Sequence, residues 1–276
     1  MFGDRLAEAV ERKRSQLVVG LDPVAEKLPA AVGGDVGAFC RGIVDAVAEH
    51  AVAVKPQSAF FELYGAEGVR TFEQVCTYAR DAGLLVVADV KRGDIGSTAR
   101  AYASAYAGVA DAVTVNPYLG RDSLVPFVDT CRERGTGLFC LVKTSNPGSA
   151  DLQDEVLRDG RRLWERVAEL VGELGDDLVG DSGLSSVGAV VGATFPAEVA
   201  EARALLPHAP FLLPGIGAQG GRPLDAAAAF APGPGAGLVS ASRSVIYASA
   251  GGDWREAATA AAAALARETW DVAAAA

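Results

Sequence analysis

The stretch LLVVADVKRGDIGSTA (residues 84–99) begins as a strand fit for a core and ends in charge, with Asp89, Lys91, Arg92 and Asp94 inside six positions. Apolar runs without polar alternation suit parallel strands covered on both faces. Seven more such runs occur: QLVVGLD (16–22), VAVKP (52–56), AVTVN (112–116), GLFCLVK (137–143), GAVVGA (188–193), FLLPG (211–215) and GLVSAS (237–242). Amphipathic helical patterns lie between them, as in DVGAFCRGIVDAVAEH (35–50) and RTFEQVCTYARDAG (70–83). Eight alternating β and α units in 276 residues predict an α/β fold, a (β/α)8 TIM barrel with a parallel eight-stranded barrel, as one domain over 1–276. An open doubly wound sheet is the alternative. A final helix is expected through DWREAATAAAAALARETW (253–270), with the trailing alanines frayed. Residues 173–186 read as an excursion before the sixth strand.

A barrel of this kind carries its active site at the C-terminal ends of its strands. Asp22, Lys55, Asp89, Lys91, Asn116, Lys143 and Arg243 each end, or closely follow, one of the runs, so they are expected on one rim. With five lysines against twenty arginines, the placement of three lysines at strand ends is informative; Lys13 and Lys27 read as surface residues. Residues two apart on a strand share a face, so Asp89 and Lys91 point the same way. A salt-bridge network bracing the rim is one reading. It is an inefficient use of buried charge, because desolvation roughly cancels the Coulomb gain. The chemical reading is a lysine held ionised by carboxylates, delivering a proton to a basic carbon, while a carboxylate facing a substrate anion raises that anion's energy until its charge moves elsewhere. Together these suit a decarboxylation that needs no electron-sink cofactor.

A second site is expected after strands seven and eight. The glycines of PGIGAQGGRP (214–223) allow close backbone approach to an anion, and SASRSVIY (240–247) supplies Arg243, whose fork matches phosphate oxygens. Gln219, beside Gly220, could reach over the same group as the loop closes.

Composition excludes several classes of partner. A net charge of −10 and a pI of about 4.8 disfavour nucleic acid and anionic membranes. MFGDRLAEAVERKRS (1–15) is charged throughout and unlike a signal peptide, and no run has membrane-spanning length, so a cytoplasmic protein is expected. Cys40, Cys76, Cys131 and Cys140 lack metal or redox spacing and read as free thiols. His50 and His208 are near no motif, so neither a histidine acid–base site nor a metal site is expected.

DVKRGDI (89–95) resembles the Asp-x-Lys-x-x-Asp-Ile motif of the orotidine 5′-phosphate decarboxylase family, the last enzymes of UMP synthesis. GLDP (20–23), VKPQSAFFE (54–62), VKTSNPGSAD (142–151), PGIGAQGG (214–221) and SASRSVIY agree with it in order along nearly the whole chain, and KTSNPGSAD resembles the longer bacterial subgroup. The resemblance implies that Lys91 protonates pyrimidine C6, that Asp89 sits beside the departing carboxylate, and that Lys55 completes a Lys-Asp-Lys-Asp chain and touches the ribose. It implies a homodimer with shared sites, in which Asp94 and Thr98 serve the partner's site. Asp22 would take a ribose hydroxyl and Ser145 the pyrimidine edge, with Gln219, Gly220 and Arg243 at the phosphate and no cofactor or metal. The residues themselves leave Asp22 open as a turn residue before Pro23, Lys55 as a snorkelling strand-end lysine, and Ser145 and Asn146 as turn residues before Pro147. Lys143 carries no catalytic assignment. The rival enzyme readings are the Mg²⁺-dependent 3-keto-gulonate phosphate decarboxylases and hexulose phosphate synthases, or a Schiff-base aldolase; a barrel that only binds nucleotide is a third class.

Overall fold

The computed structural model describes residues 1–216 and 221–276. The eight expected runs are its eight strands: β1 (Leu17–Leu21), β2 (Ala53–Pro56), β3 (Leu85–Arg92), β4 (Ala112–Val115), β5 (Gly137–Lys143), β6 (Val187–Val191), β7 (Phe211–Pro214) and β8 (Gly237–Ala241). They pair in sequence order, every pair parallel, and β8 closes onto β1. The barrel is therefore closed, and the open sheet is set aside. Around it lie α1 (Phe2–Lys13), α2 (Val36–Val47), α3 (Ser58–Glu62), α4 (Gly65–Asp81), α5 (Gly96–Ala107), α6 (Arg121–Arg134), α7 (Leu163–Gly175), α8 (Pro196–Leu205), α9 (Arg243–Ile246) and α10 (Trp254–Ala275). A 3₁₀ run, Pro223–Phe230, stands between β7 and β8 where an α-helix would otherwise lie. The excursion before β6 contains a 3₁₀ turn at Asp176–Leu178 and an antiparallel bridge between Val179 and Ser185.

Period two sorts each strand into a wall residue and an interior residue. Val19, Val54, Val86, Ala88, Val113, Cys140 and Ala189 belong to the layer packed under the helices. Val18, Ala53, Val87, Ala112, Phe139, Val190, Leu212 and Leu238 face the axis and form one cluster with Phe2, Leu6 and Val10. Helix α1 thus plugs the bottom of the barrel. Two positions further along β2, β3, β4 and β8, on the same interior face, stand Lys55, Asp89, Thr114 and Ser240. The apolar alternation that fills the lower barrel delivers polar side chains at its mouth.

Two expectations are corrected. The alanine tail does not fray: α10 runs to Ala275, with Ala258, Ala262, Ala266 and Ala273 buried at helical spacing. Lys13 is half-buried rather than on the surface, because its Nζ donates to the carbonyls of Ala48 (2.6 Å) and Ala51 (2.8 Å); burial, helped by Arg12, lowers its pKa to about 8. All four cysteines are free and buried. Burial raises the pKa of each, to about 12 for Cys76 and Cys131, so none presents a thiolate near neutral pH.

Candidate active site

The C-terminal mouth of the barrel opens into a cavity of about 560 Å³, lined by Asp22, Lys55, Asp89, Lys91, Thr114, Ser145, Ser242 and Arg243 among others. Asp89 is its electrostatic centre. It is only 5% exposed, yet four donors reach its carboxylate. Oδ2 accepts from Lys55 Nζ at 2.6 Å and Gln57 Nε2 at 3.1 Å; Oδ1 accepts from Lys91 Nζ at 2.5 Å and Thr114 Oγ1 at 3.0 Å. Burial alone would raise its pKa, but the ammonium groups of Lys55 and Lys91 outweigh burial and hold it at about 2. Lys55 is buried as well. Burial opposes its charge, and the carboxylates of Asp89 and Asp22 overcome that, raising its pKa above the ordinary lysine value. Lys55 is therefore not a snorkelling lysine but one arm of a fixed, ionised triad.

Lys91 differs from Lys55 in being exposed toward the cavity, with its side chain 44% accessible. Its backbone lies in the left-handed region (φ +44°), uncommon for a residue with a Cβ. Strain of this kind costs on the order of 1–3 kcal/mol and persists only where its surroundings enforce it. Here β3 slips against β4: Ala88 pairs with Val113 and Arg92 with Val115. Arg92 turns away from the cavity, donates to Glu62 Oε1 (2.9 Å) and Tyr106 (3.0 Å), and stacks over Tyr102 and Tyr106.

Asp22 is not spent on its turn. Its backbone carbonyl accepts from the Tyr247 hydroxyl (3.0 Å), which itself accepts from Val24 N (2.7 Å), so Tyr247 holds the loop while the carboxylate faces the cavity. Asp22 Oδ1 is buried with no partner among the described residues, as is Ser242 Oγ nearby. Across the cavity the stem of the loop after β7 is pinched shut. Gly221 N donates to the Gly215 carbonyl (3.1 Å), where Gly215 has φ +108°, and a Cβ on Gly221 would come within 2.8 Å of that same carbonyl oxygen. Arg243 opens α9 on the facing side. Gln219 and Gly220 lie outside the described residues.

Ser145 lines the cavity from the loop after β5, which rests against Gly192: a Cβ there would lie 3.0 Å from Ser145 N, Cα and Cβ. The loop is clasped from beneath. Gln153 accepts from Thr144 N (2.9 Å) and donates to Thr144 Oγ1 (2.8 Å), and Lys143 Nζ donates to Asp154 Oδ1 (2.6 Å). Lys143 was expected on the rim; it is 2% exposed, sits over Phe195 and does not line the cavity. The register slip between Leu141 and Lys143 turns it off the interior face. Asn116 is likewise outside the cavity: its side chain accepts from Tyr118 N (3.0 Å). Asp94 accepts from Ile95 N (2.8 Å), and neither it nor Thr98, exposed in the first turn of α5, lines this chain's own cavity.

A family model described as "Orotidine 5'-phosphate decarboxylase / HUMPS family" matches residues 15–261. The chain belongs to this family. A relative from Rhodopirellula baltica, named orotidine 5′-phosphate decarboxylase, is 45% identical over 268 residues, covering 90% of this chain and 88% of its own length. One of the same name from Deinococcus radiodurans is 46% identical over 254 residues, with coverages of 90% and 89%. Among solved structures, Leishmania donovani OMP decarboxylase superposes with a TM-score of 0.80 at 39% identity, covering 100% of this chain and 99% of that one. By family the chain is a carboxy-lyase.

Within that family site, three contributors were not singled out from sequence. Thr114 sits in a run that reads simply as an apolar strand, Ser242 stands beside Arg243 in SASRSVIY, and Gln57 lies two residues past Lys55 in VKPQSAFFE. The available signal was parity: Thr114 lies two residues beyond Ala112, on the face that Asp89 shares.

Proposed function

We propose that this chain decarboxylates orotidine 5′-phosphate to UMP and CO₂ without cofactor or metal, the last step of UMP synthesis, as a cytoplasmic homodimer. The observation that carries the reading is the buried Asp89 carboxylate, kept ionised between Lys55 and Lys91 at the floor of a cavity that has Arg243 on its far side. With the phosphate on Arg243 and the loop bearing Gln219 and Gly220, the pyrimidine reaches down to Asp89. The substrate carboxylate then faces a second carboxylate that cannot be neutralised by protonation at working pH. Leu141, Val190 and Leu212 line the same floor, a surface that solvates a carboxylate poorly and accepts neutral CO₂. As the C6–CO₂ bond breaks, its electron pair stays on C6, and Lys91 supplies the proton. Lys55 keeps Asp89 in place and reaches a ribose hydroxyl; the free oxygen of Asp22 accepts another. Ser145 meets the pyrimidine edge.

Binding at the distant phosphate serves the chemistry by holding the base against Asp89. Catalysis without a cofactor can draw on a barrier reduction of up to about 23 kcal/mol. Asp94 and Thr98, which leave their own cavity unlined, stand beside exposed Ile95, with Tyr118 exposed on the following rim loop; this supports a partner surface through which they enter a second copy's site.

The family description spans two activities, and relatives at 41–47% identity named orotidine 5′-phosphate decarboxylase favour the first. Product analysis separates them. Incubated with EDTA, the protein should convert orotidine 5′-phosphate to UMP and trapped CO₂ in equal amounts. Turnover of 3-keto-gulonate phosphate or hexulose phosphate that appears only with Mg²⁺, and none of orotidine 5′-phosphate, would reject the reading.

A further inference from the structure

The bulge that aims Lys91 has an unusual partner. Ala88 pairs with Val113 and Arg92 with Val115, so Asp89, Val90 and Lys91 together stand opposite the single residue Thr114. In a regular parallel ladder successive amides alternate between the two neighbouring strands, so only one of the adjacent Val90 and Lys91 amides would meet a β4 carbonyl. Instead Thr114 Oγ1 accepts from Val90 N at 3.0 Å and from Lys91 N at 2.9 Å, and donates to Asp89 Oδ1 at 3.0 Å. A hydroxyl has one hydrogen and two lone pairs. All three are used here, so its hydrogen has one direction open to it, toward Asp89. Thr114 is 1% exposed, and water does not compete for these bonds.

We propose that Thr114 is a positioning residue for the decarboxylation: its hydroxyl stands in for the missing strand carbonyl, holds Lys91 in its left-handed conformation, and fixes the Asp89 oxygen that Lys91 shares. One side chain thereby couples the backbone geometry of the proton donor to the orientation of the carboxylate beside the reacting carbon. Thr114 acts on substrate only through these two residues. The proposal rests on the assignment of Lys91 and Asp89 under the proposed function.

The test is Thr114→Val, which keeps the β-branched shape and removes the hydroxyl, compared with Thr114→Ser, which keeps the hydroxyl. Thr114→Val should lower kcat at least tenfold while UMP affinity stays within about twofold; Thr114→Ser should recover most of the loss. A crystal structure of Thr114→Val should show Lys91 out of the left-handed region and its Nζ more than 4 Å from Asp89. If the valine variant does not fold, Thr114→Cys, with its weak donor and acceptor, replaces it and should fall between serine and valine. A kcat within twofold of wild type, or an unchanged bulge in the crystal, overturns the proposal. An inactive wild-type protein would instead sink the decarboxylase reading, and the bulge geometry would still decide the role of Thr114 in placing Lys91.

Discussion

Asp89 has the environment in which a carboxylate costs most to remove. With its pKa held at about 2 against an ordinary 3.8, its contribution to stability is fully present above about pH 4 and is lost as the pH falls through 2. The size is about 2 kcal/mol from the shift. Lys55 acts with the opposite sign: its raised pKa adds stability that is present below the ordinary lysine value and lost as the pH climbs past it. Asp89→Asn should therefore flatten the acid limb of the stability profile, and at pH 7 it should cost about 3–5 kcal/mol, because Lys55 is left buried without its counter-ion. Urea melts of both proteins between pH 2 and 8 measure this; an acid limb as steep in the variant as in wild type would contradict it. The charged members of the site were legible in the sequence because charge at the end of an apolar run is anomalous. Thr114 was not, since a threonine in a strand is ordinary, and its importance lies in a register slip that no spacing announces.

Among the elements, the loop after β5 shows how support is built beneath a site. Lys143 looked like a rim residue because it ends an apolar run, and the slip after Leu141 diverts it to Asp154. Asp154→Asn should loosen the loop that carries Ser145, raising KM for orotidine 5′-phosphate several-fold with a smaller change in kcat; faster amide exchange over 144–154 would accompany it. Because Asp154 is itself 39% exposed, the stability cost should be modest, about 1–2 kcal/mol. Gly192→Ala attacks the same loop from the other side. Its added methyl would press on Ser145, and KM should again rise while the barrel melts as before. A rise in melting temperature with unchanged KM would show that the loop tolerates the contact. The strands were legible as short apolar runs without polar alternation, and the helices as amphipathic stretches between them. The 3₁₀ run before β8 was not read from the sequence, since an alanine-rich stretch after a proline suits an α-helix as well as a 3₁₀ turn.

At the scale of the molecule, the barrel divides labour between its ends. The bottom is closed by α1, where Leu6 is fully buried against interior strand residues. Leu6→Ala should cost about 3 kcal/mol of stability and leave kcat unaltered, which paired denaturation and rate measurements would check. The top holds the candidate site, and its proposed completion by a second chain is open to complementation. Mixing and refolding inactive Lys91→Ala with inactive Asp94→Ala should return about a quarter of wild-type activity, because half the dimers are mixed and each holds one intact site. No recovery would contradict shared sites. The order of eight strands was readable from the chain; the proposed crossing of Asp94 and Thr98 rests, in the sequence, on the family resemblance alone, since a surface residue carries no mark of what will cover it. The account as a whole turns on Lys91. Wild-type protein and Lys91→Ala, both EDTA-treated, should be given orotidine 5′-phosphate, with loss of pyrimidine absorbance followed and UMP binding measured in parallel. The account predicts rapid loss with wild type and a rate lower by about 10⁴-fold in the variant, with UMP still bound. No loss with folded wild-type protein, or turnover by Lys91→Ala at the wild-type rate, would contradict it.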